Sequence, residues 1–159
     1  MVAALYAVMS YFGNVFGLTY GPIQLRFSEA LCVLPFLFPA TVPGLFVGCL
    51  AATLLSPYGP LDIVVGSLAT LIAAVWTSRV RRRWLAPLPP VVCNTVLVGF
   101  TIAFAQTGFT AALPAAWLYN GLTVGVGELG ACYVLGMLLL KLLPRVDYFK
   151  PMIAPKETA

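Results

Sequence analysis

The sequence predicts an all-α membrane protein, a compact bundle of six transmembrane helices with both termini in the cytoplasm. Of the 159 residues, 61% are hydrophobic and only 9% are charged, and the mean hydropathy is +0.97. A soluble protein of this composition would have too little polar surface to meet water. The apolar runs are continuous rather than alternating, which favours helices over the strands of a membrane barrel.

Turn residues divide the chain into six apolar segments, separated by Pro, Gly and short polar stretches. In order, these segments are Val2 to Thr19, Ala30 to Phe38, Gly44 to Leu55, Asp62 to Ser78, Val91 to Gln106 and Ala111 to Leu143. No basic residue precedes the first segment, so we expect an uncleaved span and not a secretory signal. We assign residues 1–146 to one transmembrane domain and residues 147–159 to a short polar cytoplasmic tail.

The second segment is the weakest of the six. A spanning helix needs roughly 20 apolar residues to cross about 30 Å of hydrocarbon, and this segment covers only about half of that distance. It can span only if it recruits the polar residues 24–28 or is shielded by neighbouring helices. Five helices, one of them kinked, are therefore the alternative to six.

The basic residues support the six-helix topology. With both termini inside, eight of the nine basic residues fall on the cytoplasmic side, as the positive-inside rule expects. They are Arg79, Arg81, Arg82, Arg83, Lys141, Arg145, Lys150 and Lys156. The ninth, Arg26, is left on the outer face beside Glu29, with Asp62 in the next outer loop. The arginine run is a topology signal with some affinity for anionic lipid, and we predict no nucleic-acid binding there.

Glu128 lies in the middle of the last apolar segment. A carboxylate near mid-bilayer costs about 2.5–3.5 kcal/mol, so it persists mainly where it faces a protein interior or a cavity. At 100° per residue Glu128 falls within about 20° of Gly121 and 60° of Gly125, on the small-residue face that should pack against other helices. It either contacts a ligand or is a protonated acid hydrogen-bonded to Asn94 or Asn120.

The first outer connection, residues 20–29, mixes donors, acceptors and aromatic rings. If it covers a pocket, Gln24 and Arg26 supply directional hydrogen bonds, and Tyr20 or Phe27 stacks on a flat ring. The alternative is a simple ion pair between Arg26 and Glu29 at the membrane surface, which contributes little to stability.

Catalysis is not expected. The sequence contains no histidine, so it lacks the usual proton shuttle and the commonest metal ligand. The four cysteines lie in apolar runs without a C-x-x-C pair, which is typical of small residues in helix packing. No phosphate-binding G-x-x-x-x-G-K-[ST] loop is present. We predict a protein that is not an enzyme, with no cofactor and no metal, whose uphill transport would need energy from elsewhere.

Several motifs follow one another in a fixed order along the chain. They are YGPIQLRFSEA (20–30), LPFLFP (34–39) with PGLFVG (43–48), LDI (61–63) with GSLATL (66–71), LAPLPPV (85–91) with Asn94, and GEL (127–129) with CYVLG (132–136). Together they resemble the QueT family, the substrate-binding S components of energy-coupling factor (ECF) vitamin transporters. The likeness covers about residues 3–143.

This resemblance implies a multi-pass protein of the bacterial plasma membrane that binds a queuosine precursor, a 7-deazaguanine such as preQ1 or queuine, from outside. It would join a transmembrane T component and two cytosolic ATPases, and would topple in the membrane to release its cargo. An A-x-x-x-A pattern on the first helix, matched by Ala3 and Ala7, would contact the T component. The implied substrate-binding residues are Glu128 first and Glu29 second, with Gln24, Arg26, Asn94, Asn120, Asp62 and Tyr20 around them.

Two other classes stay open from the residues alone. A small proton-coupled cation exporter could use Glu128 as its exchange carboxylate and would work without a partner. A structural membrane subunit would need no ligand.

Overall fold

The computed structural model describes residues 1–17, 25–54, 56 and 58–153, and the regular secondary structure of these residues is entirely helical. Six helices follow one another: α1 (Val2–Val15), α2 (Phe27–Phe36), α3 (Pro39–Thr53), α4 (Pro60–Arg79), α5 (Arg83–Thr107) and α6 (Leu113–Arg145). The predicted all-α class is confirmed. In this part of the chain α4, α5 and α6 are long and apolar enough to cross a membrane, whereas α1, α2 and α3 are shorter apolar helices.

The second helix has an unusual geometry. Its 10 residues form a 3₁₀ helix, and every residue from Ser28 to Phe36 is buried. Because a 3₁₀ helix rises about 2.0 Å per residue, α2 extends about 20 Å, more than an α-helix of equal length. It is surrounded by the rest of the protein, so its short apolar run does not have to face lipid.

Glycines bring α1 and α3 into close contact. A Cβ atom added at Gly48 would lie 2.8 Å from Tyr6 Cβ and 2.9 Å from the carbonyl oxygen of Ala3. A Cβ added at Gly44 would lie 3.3 Å from Val2 Cβ. The small-residue pattern on these helices therefore serves packing within the molecule, as is common in membrane bundles.

The backbones of α5 and α6 also touch. A Cβ added at Gly99 would lie 2.7 Å from Gly121 Cα, and one added at Gly125 would lie 2.8 Å from Thr95 Oγ1. Only glycine allows helix axes to approach this closely without displacing backbone atoms. This contact fixes the relative position of the two helices.

Both α5 and α6 contain a stretch of π-helix, Asn94–Val98 and Gly130–Gly136 respectively. A π turn holds an extra residue and loosens the regular hydrogen-bond pattern, and such turns occur frequently at functional sites. Irregular backbone at membrane depth is tolerated where it is buried in protein or lines a cavity. The two π stretches direct attention to the interior between α5 and α6.

One end of the bundle collects the basic residues. Val80 and Ala86, on either side of the α4–α5 turn, share a hydrophobic cluster with Phe36 at the end of α2 and Leu140 near the end of α6. The tail returns to this end, because Ile153 packs on the same cluster and the rings of Phe38 and Phe149 lie 6.0 Å apart. Residues 154–159 of the predicted polar tail lie outside the described residues.

The backbone contact between α5 and α6 can be tested with Gly99→Ala. The new methyl group would clash with the Gly121 backbone, and overpacking of this kind costs about 1–3 kcal/mol. We expect the thermal unfolding midpoint of the purified protein in detergent to fall by about 2–12 °C.

Gly130→Ala is the matched control, because its Cβ would meet only the end of the Leu25 side chain, at 3.4 Å. Equal midpoints for the Gly99 variant and the wild type would show that α5 and α6 are not in backbone contact.

Candidate functional site

Six of the polar residues selected from the sequence are buried inside the protein. Their relative exposures are 6% for Arg26, 1% for Glu29, 0% for Asp62, 2% for Asn94, 7% for Asn120 and 2% for Glu128. The inward orientation predicted for Glu128 is confirmed. Arg26, Glu29 and Asp62 are also buried, so they lie inside the protein and not on its surface, while the outer side of the membrane stays a prediction for them.

Glu29 is held by three helices. Its Oε1 accepts a hydrogen bond from the Tyr6 hydroxyl of α1, and its Oε2 accepts one from the Cys32 thiol one turn along α2, at 3.0 Å. The Cys132 thiol of α6 lies 3.4 Å from the Glu29 carbonyl oxygen. These contacts fix the carboxyl group in position and link α1, α2 and α6 around it.

Arg26 forms an ion pair with the first turn of α4. Its Nη2 lies 4.0 Å from Asp62 Oδ2, and the same oxygen accepts a hydrogen bond from the Ser56 hydroxyl. Asp62 sits in the first turn of α4, where the helix dipole favours a negative charge. Arg26 and Glu29 are both buried, so the alternative of a pair at the membrane surface is wrong in its location.

The thiol contact of Glu128 is longer than that of Glu29. The Cys132 thiol lies 3.6 Å from its Oε2, a long and weak hydrogen bond. Asn94 lies next to the carboxyl, and Glu29 and Arg26 are close enough to interact with it electrostatically. Two carboxyl groups and one guanidinium group therefore share this part of the interior.

Asp62 Oδ1 and Ser67 Oγ are buried polar atoms without a hydrogen-bond partner in the described part of the chain, and Asn94 Nδ2 has none there apart from the Glu128 carboxyl. Buried polar groups in proteins are nearly always paired with protein, water or ligand, because an unpaired group costs about 1–3 kcal/mol. Asn94 begins the π turn of α5 beside Glu128, and its amide nitrogen carries two N–H groups, so one is left after a bond to Glu128.

Asn120 does not join this group. Its Nδ2 donates to Gln106 Oε1 at 2.9 Å and to the carbonyl oxygen of Ala116 at 2.8 Å. It precedes Glu128 by about 12 Å along α6 at 1.5 Å per residue. The alternative in which Asn120 hydrogen-bonds Glu128 is therefore wrong. Tyr20 and Gln24, the other two predicted binding residues, lie outside the described residues.

Sequence analysis missed the hydroxyl and thiol partners. Cys32 follows Glu29 by three residues and Cys132 follows Glu128 by four, a spacing that puts side chains on one helix face and could have suggested both contacts. Tyr6 gives no comparable signal, because it is 23 residues from Glu29.

The arrangement suits recognition of a polar ligand. Among the described residues no group of three His, Cys, Asp or Glu side chains is placed to hold a metal ion. The interior instead offers carboxylate acceptors, an amide and a guanidinium group, which together can bind a small molecule rich in hydrogen-bond donors.

Comparison with known proteins gives one family and one curated relative. The family model described as "QueT transporter" matches residues 1–145. The queuosine precursor transporter QueT of Lactococcus lactis subsp. cremoris (strain MG1363) is 28% identical over 159 residues, an alignment that covers 92% of this chain and 90% of that protein. No solved structure matches. Because the family model covers nearly the whole chain, the protein belongs to the QueT transporter family.

Proposed function

We propose that this protein captures a queuosine precursor, a 7-deazaguanine such as preQ1 or queuine, in the buried polar cluster and delivers it inwards. The relative from Lactococcus lactis is named for such a precursor, and it aligns with nearly the whole of this chain. One structural observation carries the proposal: three of the five acidic residues of this very apolar chain, Glu29, Asp62 and Glu128, are buried together with Arg26.

The charge balance of the interior favours a cationic, donor-rich ligand. Arg26 is the only buried basic side chain among the described residues, and its guanidinium lies 4.0 Å from Asp62. Three buried acidic side chains, Glu29, Asp62 and Glu128, thus face one buried basic side chain in a largely apolar protein, where an uncompensated charge is costly. A base-like ring with an aminomethyl arm supplies N–H donors to one carboxylate and a positive charge to the other.

Glu29 is better placed to balance the positive charge of the ligand, and Glu128 is better placed to accept hydrogen bonds from its ring. Tyr6 and Cys32 already donate to the two oxygens of Glu29, so this group is fixed and its charge acts mainly over distance. The only thiol contact of Glu128 is long, which leaves its oxygens available to ligand donors.

The membrane orientation follows from the end of the bundle that carries the basic residues. We propose that this end lies in the cytoplasm, as the positive-inside rule expects, in a bacterial plasma membrane. The start of α1 belongs to the same end, because Val2 contacts the start of α3 at Gly44, directly after α2 ends. Both termini would then be cytoplasmic, with six crossings.

Energy coupling would come from partners. We propose that the protein acts as the S component of an ECF transporter with a T component and two cytosolic ATPases, and that it topples to release the ligand. Ala3 packs through its backbone against Gly48, while Ala7 is half-buried. Leu5, Val8 and Phe12 are exposed on the same helix. A T component would cover this exposed face and reach Ala3 and Ala7 at its border.

Direct binding tests the proposal. Purified protein in nanodiscs should give a saturable, sub-micromolar response to 7-deazaguanines in titration calorimetry. Proton-linked efflux of lipophilic cations from vesicles, without deazaguanine binding, would instead identify an exporter. Absence of both activities would identify a structural subunit.

We expect Glu128→Gln to weaken binding of preQ1 by at least about tenfold, because hydrogen bonds to a charged group contribute about 1.5–3 kcal/mol. Expression and the unfolding midpoint should stay near the wild-type values, since the amide keeps the shape of the side chain. Asp147→Asn is the control, because the Asp147 side chain is 91% exposed. Unchanged affinity in the Glu128 variant would remove this residue from the binding site.

Topology can be checked with reporters fused to each end of the chain. A fluorescent protein that folds only in the cytoplasm should be fluorescent at both the N-terminus and the C-terminus. Fluorescence at the C-terminus alone would establish five crossings with an external N-terminus.

A further inference from the structure

We propose that Asn94 and Glu128 act as one recognition pair, in which Glu128 accepts from a ring N–H and the neighbouring exocyclic amino group of the ligand, and Asn94 donates to the adjacent carbonyl oxygen. This inference rests on the proposed function and assigns the part of the ligand that each side chain reads. It makes Asn94 a specificity-determining residue for the oxygen atom of the ring.

The amide nitrogen of Asn94 supports this assignment. Asn94 is 2% exposed, and apart from the neighbouring Glu128 carboxyl its Nδ2 has no acceptor among the described residues. Asn120, on the facing helix, has two acceptors for the same atom. The amide nitrogen of Asn94 carries two N–H groups, so a bond to Glu128 leaves one N–H for a ligand atom.

The backbone holds this amide and carboxyl side by side. Gly99 and Gly125 allow α5 and α6 to touch at Gly121 and Thr95, within two turns of both functional side chains. Asn94 is the first residue of one π stretch, and the other begins two residues after Glu128. The regular α-helical hydrogen-bond pattern is therefore interrupted at Asn94 and just after Glu128.

The chemistry of the pair matches one ring edge. A carboxylate accepts two parallel N–H bonds, and an adjacent amide nitrogen donates one bond. The Watson–Crick edge of a 2-amino-6-oxo ring presents two donors followed by a carbonyl acceptor. An adenine-type edge places a ring-nitrogen acceptor against the carboxylate, which leaves buried groups unpaired and is strongly rejected. Glu128 thus selects the donors and Asn94 selects the carbonyl.

A pair of ligands isolates the role of Asn94. 7-Deazaguanine and its 6-thio analogue share both N–H donors, but the sulfur atom is a weak acceptor. The wild type should bind the oxo ligand about tenfold more tightly, the range expected for one hydrogen bond. In Asn94→Leu the two ligands should bind with about equal dissociation constants, mainly because the oxo ligand binds more weakly than it does to the wild type. The readout is the ratio of the two dissociation constants in nanodiscs.

Two further variants make the result decisive. Asn120→Leu is the matched control in the same helix pair and should keep the wild-type ratio. If Asn94→Leu does not fold, Asn94→Asp keeps the shape of the side chain and should also lose the preference, because it replaces the donor by an acceptor. A wild-type ratio in a folded Asn94 variant would overturn the pair. Failure of the wild type to bind either ligand would instead overturn the proposed function.

Discussion

The structure depends on one constraint: acidic groups that are buried in an apolar protein need hydrogen-bond donors or positive charges close to them. Glu29 shows how this is done: Tyr6 of α1, Cys32 of α2 and Cys132 of α6 all donate to it or to its backbone. A buried carboxyl group with fewer partners would destabilise the fold, because it loses its hydration and the apolar side chains around it do not replace those hydrogen bonds. The helices around Glu29 are therefore constrained by polar contacts as well as by packing.

The same constraint separates two kinds of polar residue. Some are satisfied within the protein, such as Asn120 with Gln106, and these hold helices together. Others stay incomplete among the described residues, such as Asp62 Oδ1 and Ser67 Oγ. In a membrane protein, buried ionisable and polar groups of this kind are candidates for a functional site. Asn94 lies beside Glu128, whose contact with a thiol is longer than that of Glu29.

Helix positions were largely predictable, because hydropathy and turn residues mark them directly. The inward face of Glu128 was also predictable, since the helical period places it with Gly121 and Gly125, which do pack on α5. The second helix was not: its first turn contains Ser28 and Glu29, which hydropathy assigns to a loop, yet both are buried. Polar residues enter the interior when the fold supplies partners, and partners are not visible in a local window.

The sequence by itself determined that the chain is an apolar helical bundle with its basic residues at one end and a carboxyl group in its last helix, because these properties depend on composition and helical period. Only the tertiary structure decided which groups meet. The contact between Cys132 and Glu29 joins residues 103 positions apart, and the one between Asn94 and Glu128 depends on two backbones touching through glycine. Such contacts follow from how helices cross, which no single segment of the sequence encodes.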